Sequence, residues 1–186
     1  MKKAIIFLLL IIVLGFLISL GIYLSSRRPS PPTPRGKTSQ EIVESKKQEE
    51  EIPQEEVVLF FPTMEGYLLR ESRKIEKKEE PEMKAMAILS QLKNPPSGAF
   101  SPFPPGGDIR RVFLLGREAV VDLDLPSEGY GTQYELLTIY SIVDSLTYNM
   151  DVEKVKLVLG GMERKTLFGH VSLKYAFFQD LSYAGE

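Results

Sequence analysis

The sequence predicts an α+β fold: two helices packed on a small mixed sheet, preceded by one transmembrane helix and a disordered linker. Three observations predict it. The chain opens with a long uncharged stretch, continues through a charged and proline-rich segment, and then alternates short β-type apolar runs with two stretches of helical periodicity. At 186 residues there is room for one folded domain with appendages. Residues 1–25 read as the anchor, 26–56 as the linker and 57–186 as the domain.

Composition excludes several kinds of chemistry. Cysteine is absent, which removes disulfides, thiolate metal sites, a cysteine nucleophile and a lipoprotein acylation cysteine. The single histidine, His170, excludes any site built on two imidazoles from one chain. A formal net charge of −2 gives no electrostatic reason to expect nucleic acid as a partner.

Ala4 to Leu24 holds 21 residues without a charge. As a helix this is about 31 Å long, matching a hydrocarbon core of about 30 Å. A cleaved signal peptide is the rival reading, but its apolar region would be shorter, and Ile22-Tyr23-Leu24-Ser25-Ser26 matches an A-x-A site poorly. Lys2 and Lys3 oppose Arg27, Arg28, Arg35 and Lys37 across the span, so charge alone leaves the orientation open. From Ser26 to Glu56, five prolines and runs such as SKKQEEE cannot bury enough apolar surface to offset backbone ordering.

The domain is expected to begin with a strand over Val57–Phe61, apolar on both faces and stopped by Pro62. Tyr67–Arg70 follows as a hairpin partner, and Arg73–Glu80 reads as a solvated strand end and loop. Pro81 suits the first position of a helix whose stripe includes Met83, Met86, Ile88, Leu89 and Leu92, with the methionines filling core. Asn94-Pro95-Pro96 ends it. The Pro/Gly-rich loop Gly98–Gly107 carries Phe100 and Phe103, which either tuck onto the core or form a binding surface.

Ile109–Leu115 and Glu118–Leu125 flank Gly116-Arg117, a two-residue hairpin connection. Alternation places Ala119, Val121, Leu123 and Leu125 on the core face. Asp122 and Asp124 fall opposite, where water is the expected neighbour, although paired carboxylates also suit metal binding or acid–base work. Thr132 and Glu135 fit a T-x-x-E capping box opening a helix that ends at Asn149. Leu136, Leu137, Ile139, Tyr140, Ile142, Val143 and Leu146 form its apolar stripe; Ser141, Asp144, Ser145 and Asn149 are expected to stay wet. Val155–Leu159 then reads as a strand closed by Gly160-Gly161.

The order LFFP, VFLLGREAVVDLDL, SIVDSLTYN, KVKLVLGG and GHVSL resembles the GerMN domain, a sporulation and germination module, over Val57 to Tyr183. The resemblance implies an α/β domain similar to ring-building motifs, outside the bacterial cytoplasmic membrane, without known chemistry. It also implies that the N-terminus stays inside while the domain is exported. Members with two tandem copies behind a lipoprotein-type signal differ from this chain, which has one copy and no cysteine. The family's glycines correspond to Gly160, Gly161 and Gly169, the last followed by His170. These positions suit a chain reversal and a positive φ.

The expected function is a non-enzymatic, membrane-anchored interaction or scaffold domain in sporulation, germination or envelope assembly. No residue is assigned a catalytic, cofactor or metal role. Expected partners are the inner membrane through residues 4–24 and another protein or a second copy, met through a sheet edge. The alternative is a peptidoglycan or glycan module using Tyr130, Tyr134, Phe100 and Phe103. A hydrolase built on Asp122, Asp124 or His170 is the third reading.

Overall fold

The computed structural model describes residues 52–126 and 129–185. The expected anchor and all of the linker up to residue 51 lie outside the described residues. Among those described, no helix is long and apolar enough to cross a membrane.

The elements run β1 (Gln54–Pro62), β2 (Leu68–Glu76), α1 (Pro81–Gln91), β3 (Asp108–Leu115), β4 (Glu118–Asp124), α2 (Thr132–Asn149), β5 (Lys154–Leu159) and β6 (Phe177–Phe178), then a short 3-10 turn (Leu181–Tyr183). Two helices and mixed strand pairing give the expected α+β class. The strands, however, form two sheets. β1 and β2 make a separate antiparallel hairpin, while β3-β4-β5-β6 forms a mixed sheet in which only the β4/β5 pair is parallel.

The hairpin is longer than its apolar run suggests. β1 starts at Gln54, inside the expected linker, and β2 reaches Glu76, so that the expected solvated strand end runs to Glu76, because ladder bonding to β1 continues to Gln54↔Glu76. Val57, Leu59, Phe60 and Phe61 are all buried, as a strand covered on both faces requires. In α1, Pro81 holds the first turn, but the buried residues are Ala85, Ile88 and Leu89, followed by Leu92 just past its end. The core face is thus rotated away from Met83, which is exposed rather than core filler.

One core joins α1, α2, the inner face of the four-stranded sheet and part of β1. From α2 it takes Ile139, Ile142, Val143 and Leu146, each buried at about 1.5–3 kcal/mol of transfer free energy. From the sheet it takes Ala119, Val121, Leu123, Val155 and Leu157, confirming the alternation expected for β4.

The wet face expected for α2 does not exist. Ser141, Asp144 and Ser145 are 0% exposed, because β1 lies along Ser141 and Ser145 with its free edge turned to the helix and the C-terminal segment at Asp180 covers Asp144. Ser141 Oγ donates to the Phe60 carbonyl at 2.5 Å, and Ser145 Oγ accepts from the Phe60 N–H at 3.1 Å. Asn149 brackets Val58, accepting from its N–H at 2.8 Å and donating to its carbonyl at 2.6 Å. Residues spaced by four on one helix face thus meet strand residues spaced by two, and side chains replace a neighbouring strand. A helix buried nearly all round is a core helix.

Candidate functional site

The parallel strands β4 and β5 end beside the start of α2, and the irregular segment Gly160–Lys174 lies over that junction. Gly160 and Gly161 turn the chain with φ of 61° and 76°, both in the left-handed region that favours glycine. The turn is tied to β4 by Asp122, whose Oδ1 accepts from the Gly161 N–H at 2.8 Å. Asp122 is therefore buried, not solvent-facing. Its second oxygen lies 3.7 and 3.8 Å from the guanidinium groups of Arg110 and Arg111. Asp124 is exposed, so the two aspartates are not brought together as a working pair.

Farther along, Glu135 fixes the segment from below. Its side chain is 0% exposed. Oε1 accepts from the Leu167 N–H at 2.8 Å and the Phe168 N–H at 3.0 Å, while Oε2 accepts from the His170 N–H at 2.8 Å. The expected capping box is absent as a consequence. Gly131 is the N-cap, Thr132 is already helical, and no side chain caps the end. Two more ties complete the loop: the Leu173 N–H donates to the Lys165 carbonyl at 2.8 Å, and Lys156 Nζ donates to the carbonyls of Leu173 and Lys174 at 2.9 Å each.

The aromatic residues singled out from sequence partly converge here. Phe100 stacks on Tyr134 with centroids 5.5 Å apart, and Tyr134 stacks on Tyr130 at 4.7 Å. Phe168, which sequence reasoning passed over, closes the cluster at 4.8 Å from Tyr130. Phe103 instead enters the core. Burial, followed by the neighbouring Tyr130, pushes the Tyr134 hydroxyl up to about 12, so it stays protonated at physiological pH. The exposed His170 ring meets the Tyr130 carbonyl through Nε2 at 3.1 Å. Because a carbonyl only accepts, this contact is a hydrogen bond when Nε2 carries the proton and donates it.

Two cavities adjoin on this surface. One of about 680 Å³ runs between Leu123–Leu125, Leu159-Gly160 and the segment from Met162 to Gly169. The other, about 490 Å³, is lined by Glu163, Arg164, Lys165, Thr166, His170, Ser172 and Lys174. The region around Gly160 to His170 is thus concave, with polar and apolar groups both in its lining. Sequence reasoning missed the cations because MERKTLFGH reads as an ordinary charged loop until its backbone is fixed.

A family model for "Germane: Sporulation and spore germination" matches residues 58–165, more than half of the chain. Among solved structures, the tandem GerMN domains of the sporulation protein GerM from Bacillus subtilis align with a TM-score of 0.52 at 20% identity, covering 64% of this chain and 44% of that one. The chain therefore spans less than half of the tandem protein. The first GerMN domain of the same protein aligns with a TM-score of 0.51 at 20% identity, over 63% of this chain and 92% of the other. Among curated proteins, no match is found. At this identity the structural likeness carries the fold alone, whereas the family model matches the sequence itself from within β1 to the loop after β5. On that match, the chain belongs to the Germane, or GerMN, family of sporulation and spore-germination domains.

Proposed function

We propose that this GerMN domain is a non-enzymatic interaction module, held outside the cytoplasmic membrane by residues 4–24, that binds another protein or a second copy of itself. The observation that carries this reading is the exposed end of the outer face of the four-stranded sheet, at the β3/β4 hairpin, the other end being covered by the segment after β5. Both helices pack on the inner face, and cross-strand pairing puts Leu115, Glu118, Lys154 and Phe178 in one row of the outer face. Phe113, Leu115 and Phe178 are 46%, 66% and 63% exposed there. Phe113 and Leu115 lie at one side of this face and Phe178 at the other, with the ion pair Glu118–Lys154 between them, so the surface offers two apolar contacts around a charged centre.

The sheet edges favour this face over edge pairing. The outer edge of β1 is occupied by Ser141, Ser145 and Asn149. Since the Val58 and Phe60 backbone groups face α2, their partners Ser72 and Arg70 turn their own backbone groups outward on β2. That edge carries Arg70 and Lys74, and charges on an exposed edge discourage pairing. Crosslinking and light scattering of the full chain in neutral detergent, beside Leu115→Glu and Phe178→Glu variants, test the proposal. Loss of an assembly or of a recovered partner in the variants is the expected result. A wild-type chain that stays monomeric at high concentration and recovers no partner overturns it.

A second reading rests on the Phe100–Tyr134–Tyr130 stack, since partly exposed aromatic faces suit sugar rings. Co-sedimentation with purified peptidoglycan, reduced by Phe100→Ala, supports glycan binding; absence of co-sedimentation removes it.

A further inference from the structure

The segment Glu163–Lys174 concentrates positive charge in a chain whose net charge is −2. Arg164, Lys165 and Lys174 are exposed, and all three line the cavity of about 490 Å³. Among the described residues none of them is in an ion pair, whereas the other basic side chains nearby are committed: Lys156 to Glu163, and Arg110 and Arg111 to Asp122. The single carboxylate of the segment, Glu163, is thus itself turned toward Lys156 at 3.4 Å. Thr166 and Ser172 add hydroxyls, and His170 adds a ring nitrogen.

The backbone beneath these cations is fixed to an unusual degree for an irregular segment. Glu135 holds three of its N–H groups, Lys156 two of its carbonyls, and Leu173 closes it onto Lys165. Burying a carboxylate to hold a loop carries a desolvation cost that an ordinary solvated loop does not require. Fixing the loop beforehand lowers the ordering cost of binding.

We infer that the segment is a preformed site for a phosphodiester polyanion. Three unpaired cations and two hydroxyls around one cavity exceed what a single carboxylate can engage, and they match the several oxygens of successive phosphodiester groups. The adjoining cavity of about 680 Å³ shares Arg164 and Lys165 with this site but is also lined by the carboxylates Asp124 and Glu163, which confines the anion to the cationic side. Two sources share this chemistry, a soluble glycerol-phosphate polymer and the headgroups of an anionic bilayer. The inference is independent of the sheet-face contact, and its residues do not overlap that surface's exposed apolar side chains.

The test uses the full chain in neutral-detergent micelles. One arm titrates a fluorescent poly(glycerol phosphate) oligomer; the other measures retention by vesicles of 30% phosphatidylglycerol in phosphatidylcholine against phosphatidylcholine alone. Replacing Arg164, Lys165 and Lys174 together by Gln is expected to weaken binding about a hundredfold, at about 1 kcal/mol per cation. Lys174→Gln alone should cost about fivefold on the same basis. The control neutralises the ion-paired Lys77, Lys78 and Lys93 by Gln, an equal charge change elsewhere, and should leave binding within about twofold of wild type, on the expectation that neutralised surface ion pairs contribute little. The arm that responds identifies the source. Failure of the wild-type chain to bind in both arms, or equal loss in the control and the loop variant, overturns the inference.

Discussion

Two carboxylates on α2 are equally hidden from water and have opposite consequences. Glu135 and Asp144 are each 0% exposed, yet Glu135 accepts three backbone N–H groups whereas Asp144 accepts one, from Asp180 at 3.1 Å, and leaves Oδ2 without a partner among the described residues. The difference lies in what faces each side chain. Opposite Glu135, the chain around Gly169 turns so that the N–H groups of residues 167, 168 and 170 converge, the kind of concavity that binds an anion. Opposite Asp144 the C-terminal segment brings another carboxylate, Asp180, with Tyr140 and Tyr183 stacked close by. Burial alone therefore says little about a charged group; the count of converging donors decides whether it holds the fold or strains it.

The sharpest way to break this comparison is to remove the well-partnered side. Glu135→Ala leaves three buried N–H groups without an acceptor and is expected to destabilise the domain by about 3–5 kcal/mol. Urea unfolding would measure the loss, and faster amide exchange at Leu167, Phe168 and His170 would locate it. A cost below about 1 kcal/mol, the range of an exposed ion pair, would show that the loop does not depend on this carboxylate.

A smaller effect is expected where neutral side chains do the same work. Asn149→Ala removes both bonds to Val58 and should cost about 2 kcal/mol. Because the loss reopens the β1 edge, the variant should also self-associate more readily. Sedimentation of the variant beside Ser141→Ala, which removes only the bond to the Phe60 carbonyl, separates edge exposure from simple loss of stability.

The strands and helices were legible because their apolar periods are strong: the β4 alternation, the Gly116 hairpin and the extent of α2 all follow from pattern. The partners of the polar side chains were not. Ser141, Ser145 and Asn149 recur at helical spacing opposite the apolar stripe, which is also how a solvated face looks. One sequence signal pointed the other way, since α2 contains no Lys or Arg and its only charges are Glu135 and Asp144. A face made of short polar side chains without long charged ones fits against backbone. Glu135 was misread for a related reason: a glutamate three residues after a threonine satisfies a local motif, and a sequence holds no record of a loop 32 residues away. Phe100, Tyr130 and Tyr134 stand out in the sequence as aromatics in or beside Gly/Pro-rich loops, but their stacking, like the cationic loop, depends on long-range ties that no local pattern encodes.

The smallest expected change concerns the poorly partnered side, and its sign is reversed. Burial, the largest influence, raises the Asp144 carboxyl to about 6; the charge of Asp180 adds to the rise, while the Asp180 N–H and Arg70 oppose it. With its folded pKa above the ordinary 3.8, the native state holds the proton more tightly than the unfolded chain. Stability from this group therefore falls as pH rises from about 4 to about 6, and the full penalty persists above that range. Asp144→Asn removes the charge and should stabilise the domain by about 1–2 kcal/mol at pH 7, allowing for solvent screening. The gain should shrink as pH falls from 6 to 4 and vanish only about a unit below the ordinary 3.8, where wild-type Asp144 is protonated in both states. Thermal unfolding of both proteins across that interval measures the difference. A pH-independent gain would trace the effect to packing, and a loss of stability at pH 7 would mean that the buried charge has a partner as effective as those of Glu135.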